Sequence, residues 1–262
     1  MLEQRRRAAS GITAARFQNV PLTLVSHYGE KPPAFVELIA GLQHAVAREL
    51  GAAFVPCDLR QVHATIVGLE GTRIGTSIRN DNYLRWRHEE RTMDLAGMLA
   101  WLRSSTFPRF DVQVGGFQSA LDYPFTSQGR HPSLRSFSIQ GNRAVAMGWP
   151  RMDRAFPPLL AELRAGFERF GVLHKWHPHP GVLDNDLFFV VGHCATADPA
   201  AHRRTEEIVR EQMAARSSFV PVNSDRLSFV AYSDPTLPLA SSRAFQVNDE
   251  PVTGNFLEQL YG

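Results

Sequence analysis

Lysine is almost missing from this chain. Of 28 lysine and arginine residues only Lys31 and Lys175 are lysines, so the positive charge is carried almost wholly by guanidinium, the planar fork that matches phosphate and carboxylate oxygens. A GC-rich coding sequence produces the same bias, so composition alone assigns no ligand. Cysteine is also scarce. Cys57 and Cys194 stand far apart, which excludes a disulfide framework and a cysteine zinc site and leads us to expect a reducing, cytoplasmic setting. No run of about 18 apolar residues occurs, so no membrane-spanning helix is expected. A net charge of +2 supplies no global basic field. Phosphate-loop, dinucleotide-fingerprint, zinc-protease and serine-hydrolase motifs are all absent from the sequence, which removes those chemistries from consideration.

What remains is an ordinary globular composition, 44% hydrophobic and 21% charged, over 262 residues. That length suits one large domain. The start, MLEQRRRAAS, is basic with no apolar signal core behind it, so residues 1–19 read as an extension and 20–262 as one domain. Pro21–Val25 reads as a strand, closed by a loop holding His27, Tyr28, Gly29 and Pro32-Pro33. Phe35, Leu38, Ile39, Leu42, Val46 and Leu50 make a helical stripe stopped by Gly51. A strand is expected over 62–71, with His63 and Thr65 on one face by the two-residue period. Residues 72–92 are polar and rich in arginine. Helices are expected over 93–101, 157–170 and 200–215, and strands over 110–117, 136–139, 144–149, 187–191, 225–232 and 243–247. Hairpins among scattered helices indicate an α+β fold rather than a doubly wound sheet. Phe54-Val55-Pro56 is echoed by Phe219-Val220-Pro221, as a duplicated chain or chance would produce.

The segment Val62-His63-Ala64-Thr65-Ile66-Val67-Gly68, after a first strand and helix, resembles the first H-x-T motif of the two-histidine phosphoesterases, relatives of RNA 2′,5′-ligase-like and cyclic phosphodiesterase enzymes. The order of strands and helices over about residues 20–250 is similar to that family's layout. The resemblance implies a two-lobed α+β domain, antiparallel sheets flanking a central cleft, and metal-independent hydrolysis of a cyclic phosphate or phosphodiester without a cofactor. In such a reaction one imidazole takes a proton from water, a second gives one to the leaving oxygen, and hydroxyls hold the phosphoryl oxygens. His63 and Thr65 would be the first pair. The implied ligand is a nucleotide or an RNA 2′,3′-cyclic phosphate.

The second pair departs from the pattern. The expected strand reads Asp184-Asn185-Asp186-Leu187-Phe188, which puts Asp186 and Phe188, or Asn185 and Leu187, where H and T would stand. Aligning instead on the Phe-Val-Pro echo offers Arg226 and Ser228. Asp186 is therefore the second catalytic candidate, and a catalytically retired nucleotide- or RNA-end-binding protein is the alternative. His27 and Tyr28 at the mouth of the first strand, Arg73 and Tyr83 in the arginine-rich stretch, and His177 and His179 near His174 complete the ligand-binding candidates. Guanidinium pairs with phosphate and aromatic faces stack bases, which is the argument for Arg73 and Tyr83. The histidine group has no acidic partner at a metal-ligand spacing, so no metal is expected.

Overall fold

In the computed structural model, which describes residues 21–179, 181–182, 184–195 and 198–262, the chain opens with a strand, a helix and a second strand. The expected extension over 1–19 lies outside the described residues. β1 (Leu22–Ser26) ends where His27 takes a left-handed backbone, φ 60. α1 (Pro33–Leu50) starts on a proline suited to a first turn and buries Phe35, Leu38, Ile39, Leu42 and Val46, before Gly51 at φ 55 stops it. After β2 (Phe54–Pro56) comes β3 (Ala64–Gly68). It is shorter than the strand expected over 62–71. Residues 58–62 form a turn instead, with Gln61 and Val62 N–H on the Asp58 carbonyl and Arg60 N–H on Asp58 Oδ1 at 2.7 Å. His63 is thereby left at the junction of turn and strand.

The arginine-rich stretch is a hairpin, β4 (Gly71–Ile74) and β5 (Ser77–Asn80), followed by α2 (Asp81–Arg87), whose first turn is capped by Asn80. The remaining elements are α3 (Leu95–Leu102), β6 (Phe110–Gly115), α4 (Pro132–Arg135), β7 (Phe137–Gln140), β8 (Arg143–Arg151) and α5 (Leu159–Gly166). They are followed by β9 (Leu187–Cys194), α6 (Pro199–Ala214), β10 (Ser217–Val222), β11 (Leu227–Tyr232), β12 (Ser242–Gln246) and α7 (Gly254–Gln259). After α5 a 3-10 turn runs to Phe170, and Gly171 at φ 69 ends it. A Cβ there would lie 2.1 Å from the Thr92 carbonyl oxygen.

The fold is α+β, built on one antiparallel sheet in the order β10-β6-β8-β9-β3-β1-β11-β12, with β7 paired to β8 and β2 to β9. Two ladders of four strands meet between β3 and β9, where one register pair, Ala64 with Phe189, is formed. The local two-fold of an antiparallel pair relates each residue of β3 to the residue 125 positions later in β9. It also relates β1 to β8 and β11 to β6, so β1-α1-β3 and β8-α5-β9 are corresponding units. The Phe-Val-Pro echo has another origin. One copy is β2, inside the first unit, and the other lies in β10, beyond the second.

Successive side chains alternate between the two faces of the sheet. Leu24, Ala64, Ala146, Phe189 and Phe229 join the main core with Phe35 and Ile39 of α1, Leu99 of α3, Leu163 of α5 and Met213 of α6. The opposite face carries two smaller groups. Val25, Tyr28, Val230 and Leu237 form one. Phe117, Val145, Met147 and Trp149, with Tyr123, Phe125, Phe156, Phe188 and Val190 against them, form the other.

Where β3 and β9 part, a buried guanidinium takes over. Arg164 of α5 donates to the carbonyls of Ile66 (3.1 Å) and Thr65 (3.0 Å) on β3. On the other side it donates to the carbonyls of Asp184 (2.9 Å) and Asp186 (3.2 Å), and to the Asp184 carboxylate (2.9 Å). Arg164→Met should keep the apolar stem but orphan these carbonyls and a carboxylate, at a cost of about 3–5 kcal/mol. Urea midpoints of the two proteins would measure it. A change below about 1 kcal/mol would mean that the two ladders do not depend on this group.

Candidate functional site

The expected first pair lies on the sheet face away from the helices. Ala64 faces the main core, so its neighbours His63 and Thr65 face the other way. Register sets Thr65 beside Val25 of β1, and Val25 beside Ser228 of β11. The Ser228 hydroxyl is buried without a hydrogen-bond partner among the described residues.

The His63 ring is oriented from behind. Its Nδ1 lies 2.7 Å from the Gln61 carbonyl oxygen, which can only accept, so the proton sits on Nδ1 and Nε2 keeps its lone pair. Tyr28 packs edge-on against the imidazole, with centroids 5.7 Å apart, while its hydroxyl donates to the Leu237 carbonyl at 2.9 Å. Burial pushes His63 down to about 4, against the pull of the Gln61 bond, and the Lys31 ammonium pushes the same way as burial. His63 is accordingly a neutral imidazole at pH 7, able to accept a proton.

His27 does not join His63. Its left-handed backbone turns the ring toward Phe35, and Nε2 lies 2.9 Å from the Pro221 carbonyl. Nδ1 is buried without a hydrogen-bond partner among the described residues, and burial lowers the pKa to about 4. The same turn brings Tyr28 to the imidazole in place of His27.

The local two-fold places Phe188 and Val190 where His63 and Thr65 stand on the other ladder. Asp186 lies two residues further back on the same face. Both of its carboxylate oxygens are engaged, Oδ1 by the Trp149 indole N–H at 2.7 Å and Oδ2 by the Ser127 hydroxyl at 2.8 Å and Arg135 at 3.3 Å. This network ties Trp149 to the residue that precedes β9. Phe188 and Val190 are half-buried beside it, and the Arg143 guanidinium lies 5.6 Å from the Phe188 ring centroid. One half of the face therefore presents an imidazole and a hydroxyl, and the other an aromatic and aliphatic surface.

The other candidates are spread more widely. His174 and His177 are buried with rings 5.2 Å apart. His177 Nε2 accepts the Asp184 N–H at 3.0 Å, and burial with Arg164 nearby lowers the pKa of both histidines. His179 is exposed. Arg226 is exposed in the turn before β11. Arg73 donates to the Glu258 carbonyl, and Tyr83 is buried under Arg87 and Arg91 at 5.3 and 5.7 Å. Arg87 is itself bidentate to Glu168, at 2.8 and 2.9 Å. These guanidiniums thus serve internal contacts. A cavity of about 380 Å³ lies beside them, between Glu70, Thr72, Arg73, Asp81, Arg85 and Tyr261, and is not lined by His63 or Thr65. Among the described residues no group of three or more histidines, cysteines or acids could hold a metal ion, and no helix is long and apolar enough to cross a membrane.

Sequence reasoning missed Lys31. Its ammonium donates to the carbonyls of Gly29 (2.9 Å) and Arg60 (3.2 Å), next door to the carbonyl that holds His63. Its being one of two lysines in an arginine-dominated chain was a signal that could have found it. Arg164 and the Trp149–Asp186 contact depend on long-range packing and leave no local signal.

No family model matches the chain, and no curated protein matches it. Among solved structures it is similar to that of TT0787 of Thermus thermophilus, with a TM-score of 0.39 and 13% identity over 86% of this chain and 93% of that one. A likeness that loose bears on neither fold nor function.

The buried histidines make a pH prediction. The unfolded chain titrates near 6.5, while His27 and His63 titrate near 4 when folded, so between those values the unfolded state binds more protons. Their contribution is complete above pH 6.5 and is lost as pH falls toward 4, up to about 3 kcal/mol for each residue. His27→Asn, which tolerates the left-handed backbone, should flatten this acid limb. Urea midpoints at pH 7, 6 and 5 read the slope. Equal slopes for wild type and variant would contradict the assignment of His27.

Proposed function

We propose that this chain recognises a nucleotide-like phosphodiester, such as an RNA 2′,3′-cyclic phosphate end, at His63 and Thr65. It is read as a relative of the two-histidine phosphoesterases that retains one half of the catalytic pair. The observation that carries this reading is the His63 tautomer. With Nδ1–H held by Gln61, Nε2 keeps its lone pair as a base at the head of β3, two residues before the hydroxyl-bearing Thr65. The aromatic surface at Phe188 supports a ligand with a base over a bare phosphate, because aromatic faces stack bases of any sequence. In the same reading the two four-stranded ladders flank a cleft and the protein works in the cytoplasm.

The chemistry available is one-sided. Nε2 of His63 takes a proton from an attacking water as the new P–O bond forms, and the bond to the leaving oxygen breaks on the far side. No second imidazole stands at the two-fold position to protonate that oxygen, since Phe188 is there. A ribose oxygen would leave as an alkoxide, whereas an aryl oxygen leaves without help. The expected outcome is binding of both adenosine 2′,3′-cyclic phosphate and a nitrophenyl phosphodiester, with turnover of the aryl ester alone. That turnover should fall by about 10²-fold or more in His63→Ala. The competing reading, a binder without turnover, is favoured by the aromatic replacement at Phe188 and predicts binding with no product from either ester. Rapid hydrolysis of the cyclic nucleotide by wild type would overturn the one-sided site. Failure to bind either ester would overturn the whole reading.

A further inference from the structure

His63 and the ammonium of Lys31 hang from consecutive carbonyls of one turn, Gln61 and Arg60. The turn is rigid, because Asp58 accepts three of its N–H groups and Gly29 N–H also binds the Arg60 carbonyl at 2.8 Å. Lys31 is therefore fixed to the same frame as the imidazole, on the loop that also supplies Tyr28. An ammonium has three N–H donors. Two are taken by Gly29 and Arg60, and the third has no acceptor among the described residues.

We propose that Lys31 is the cationic anchor of the anion this site takes, donating its remaining N–H to a non-bridging phosphoryl oxygen. This rests on the reading of His63 and Thr65 given above and adds a residue to it. Three observations favour Lys31 over the arginines. Arg60 and Arg226 are exposed, whereas the Lys31 side chain is half-buried and already tethered. A neutral His63 offers the anion a lone pair and no charge, so a nearby cation has to supply the attraction. A compact ammonium also fits between two carbonyls and still has a donor to spare, where the planar guanidinium would spread its donors over a wider fork. Burial lowers Lys31 to about 8, against the pull of Asp58, which leaves the ammonium mostly protonated at pH 7.

The test compares wild type with Lys31→Gln, Lys31→Met and His63→Ala by calorimetric titration with adenosine 2′,3′-cyclic phosphate and with adenosine. Gln keeps donors for the two carbonyls and lacks the charge, so it separates electrostatics from folding, and thermal unfolding of each variant checks the fold. Both Lys31 variants should bind the cyclic nucleotide about tenfold more weakly than wild type, with adenosine binding unchanged. In an NMR titration, His63 should titrate at higher pH in Lys31→Gln, because the ammonium that opposes its protonation is gone, and an unchanged His63 would place Lys31 outside the site and refute the anchor. If His63→Ala loses the nucleotide while Lys31→Gln binds it within twofold of wild type, the anchor is refuted and the His63 site stands. If wild type shows no preference for the nucleotide over adenosine, both the site and the anchor are refuted.

Discussion

The join between the two halves of the sheet depends on the Arg164 guanidinium. A ladder of eight antiparallel strands would ordinarily be continuous, yet β3 and β9 form one register pair and then separate. Their carbonyls beyond that pair need donors, and leaving them dry would cost about as much as several lost hydrogen bonds. One guanidinium reaches Thr65 and Ile66 on one side and Asp184 and Asp186 on the other. Arginine suits this position because its five donors spread in a plane, and Asp184 supplies the countercharge that lets the group stay ionised when almost fully buried. Burial and Arg164 act in opposite directions on Asp184, burial being the larger. Thr65, a residue of the candidate site, is thus held through its backbone by a group on the far unit.

The same join explains the asymmetry of the face it supports. Residues related by the local two-fold have similar backbone surroundings, but the sequence fills them in opposite ways. His63 and Thr65 stand on one strand, and Phe188 and Val190 on the other. Met147 pairs with Phe188 in the ladder, and Trp149, Phe117, Phe125 and Phe156 cover the adjacent sheet. Restoring a histidine at 188 alone would set an imidazole against this apolar group, with the Arg143 guanidinium beside it opposing its protonation. The Asp186 carboxylate is committed to Trp149, Ser127 and Arg135, so it is a tie for the aromatic group.

Local signals made most of the elements legible. The α1 stripe closed by Gly51, the Gly141-Asn142 turn between β7 and β8, and the stop at Gly171 all follow from backbone rules that act within a few residues. The strands that were missed lacked such signals. β2 and β10 each contain a proline and lie at the margins of the sheet, where a missing N–H is tolerated, so their proline reads as a loop. The hairpin β4-β5 is short and polar, without the alternation that marks a half-buried strand. In the site, H-x-T was readable because two residues on one strand share a face. The register against β9 was not readable, since it is set by packing across 125 residues, and that register replaces Asp186 with Phe188 as the partner position of His63.

What the site can do follows from where its protons are. A carbonyl behind His63 fixes the tautomer, and burial keeps the ring neutral, so the face toward a ligand begins as an acceptor. An acceptor alone repels the oxygens of a phosphate anion and attracts the hydrogens of water or a hydroxyl. Recognition of an anion and activation of a nucleophile therefore have to be divided among different groups, with donors and positive charge coming from outside the imidazole. Thr65 can donate a hydroxyl hydrogen, and the loop between β1 and α1 holds the ammonium of Lys31 on the same turn. The division explains why one short turn, residues 58–62, bears so much of the site. It delays the start of β3 to Ala64, presents successive carbonyls to the lysine and the histidine, and thereby sets a cation and a base on one rigid frame.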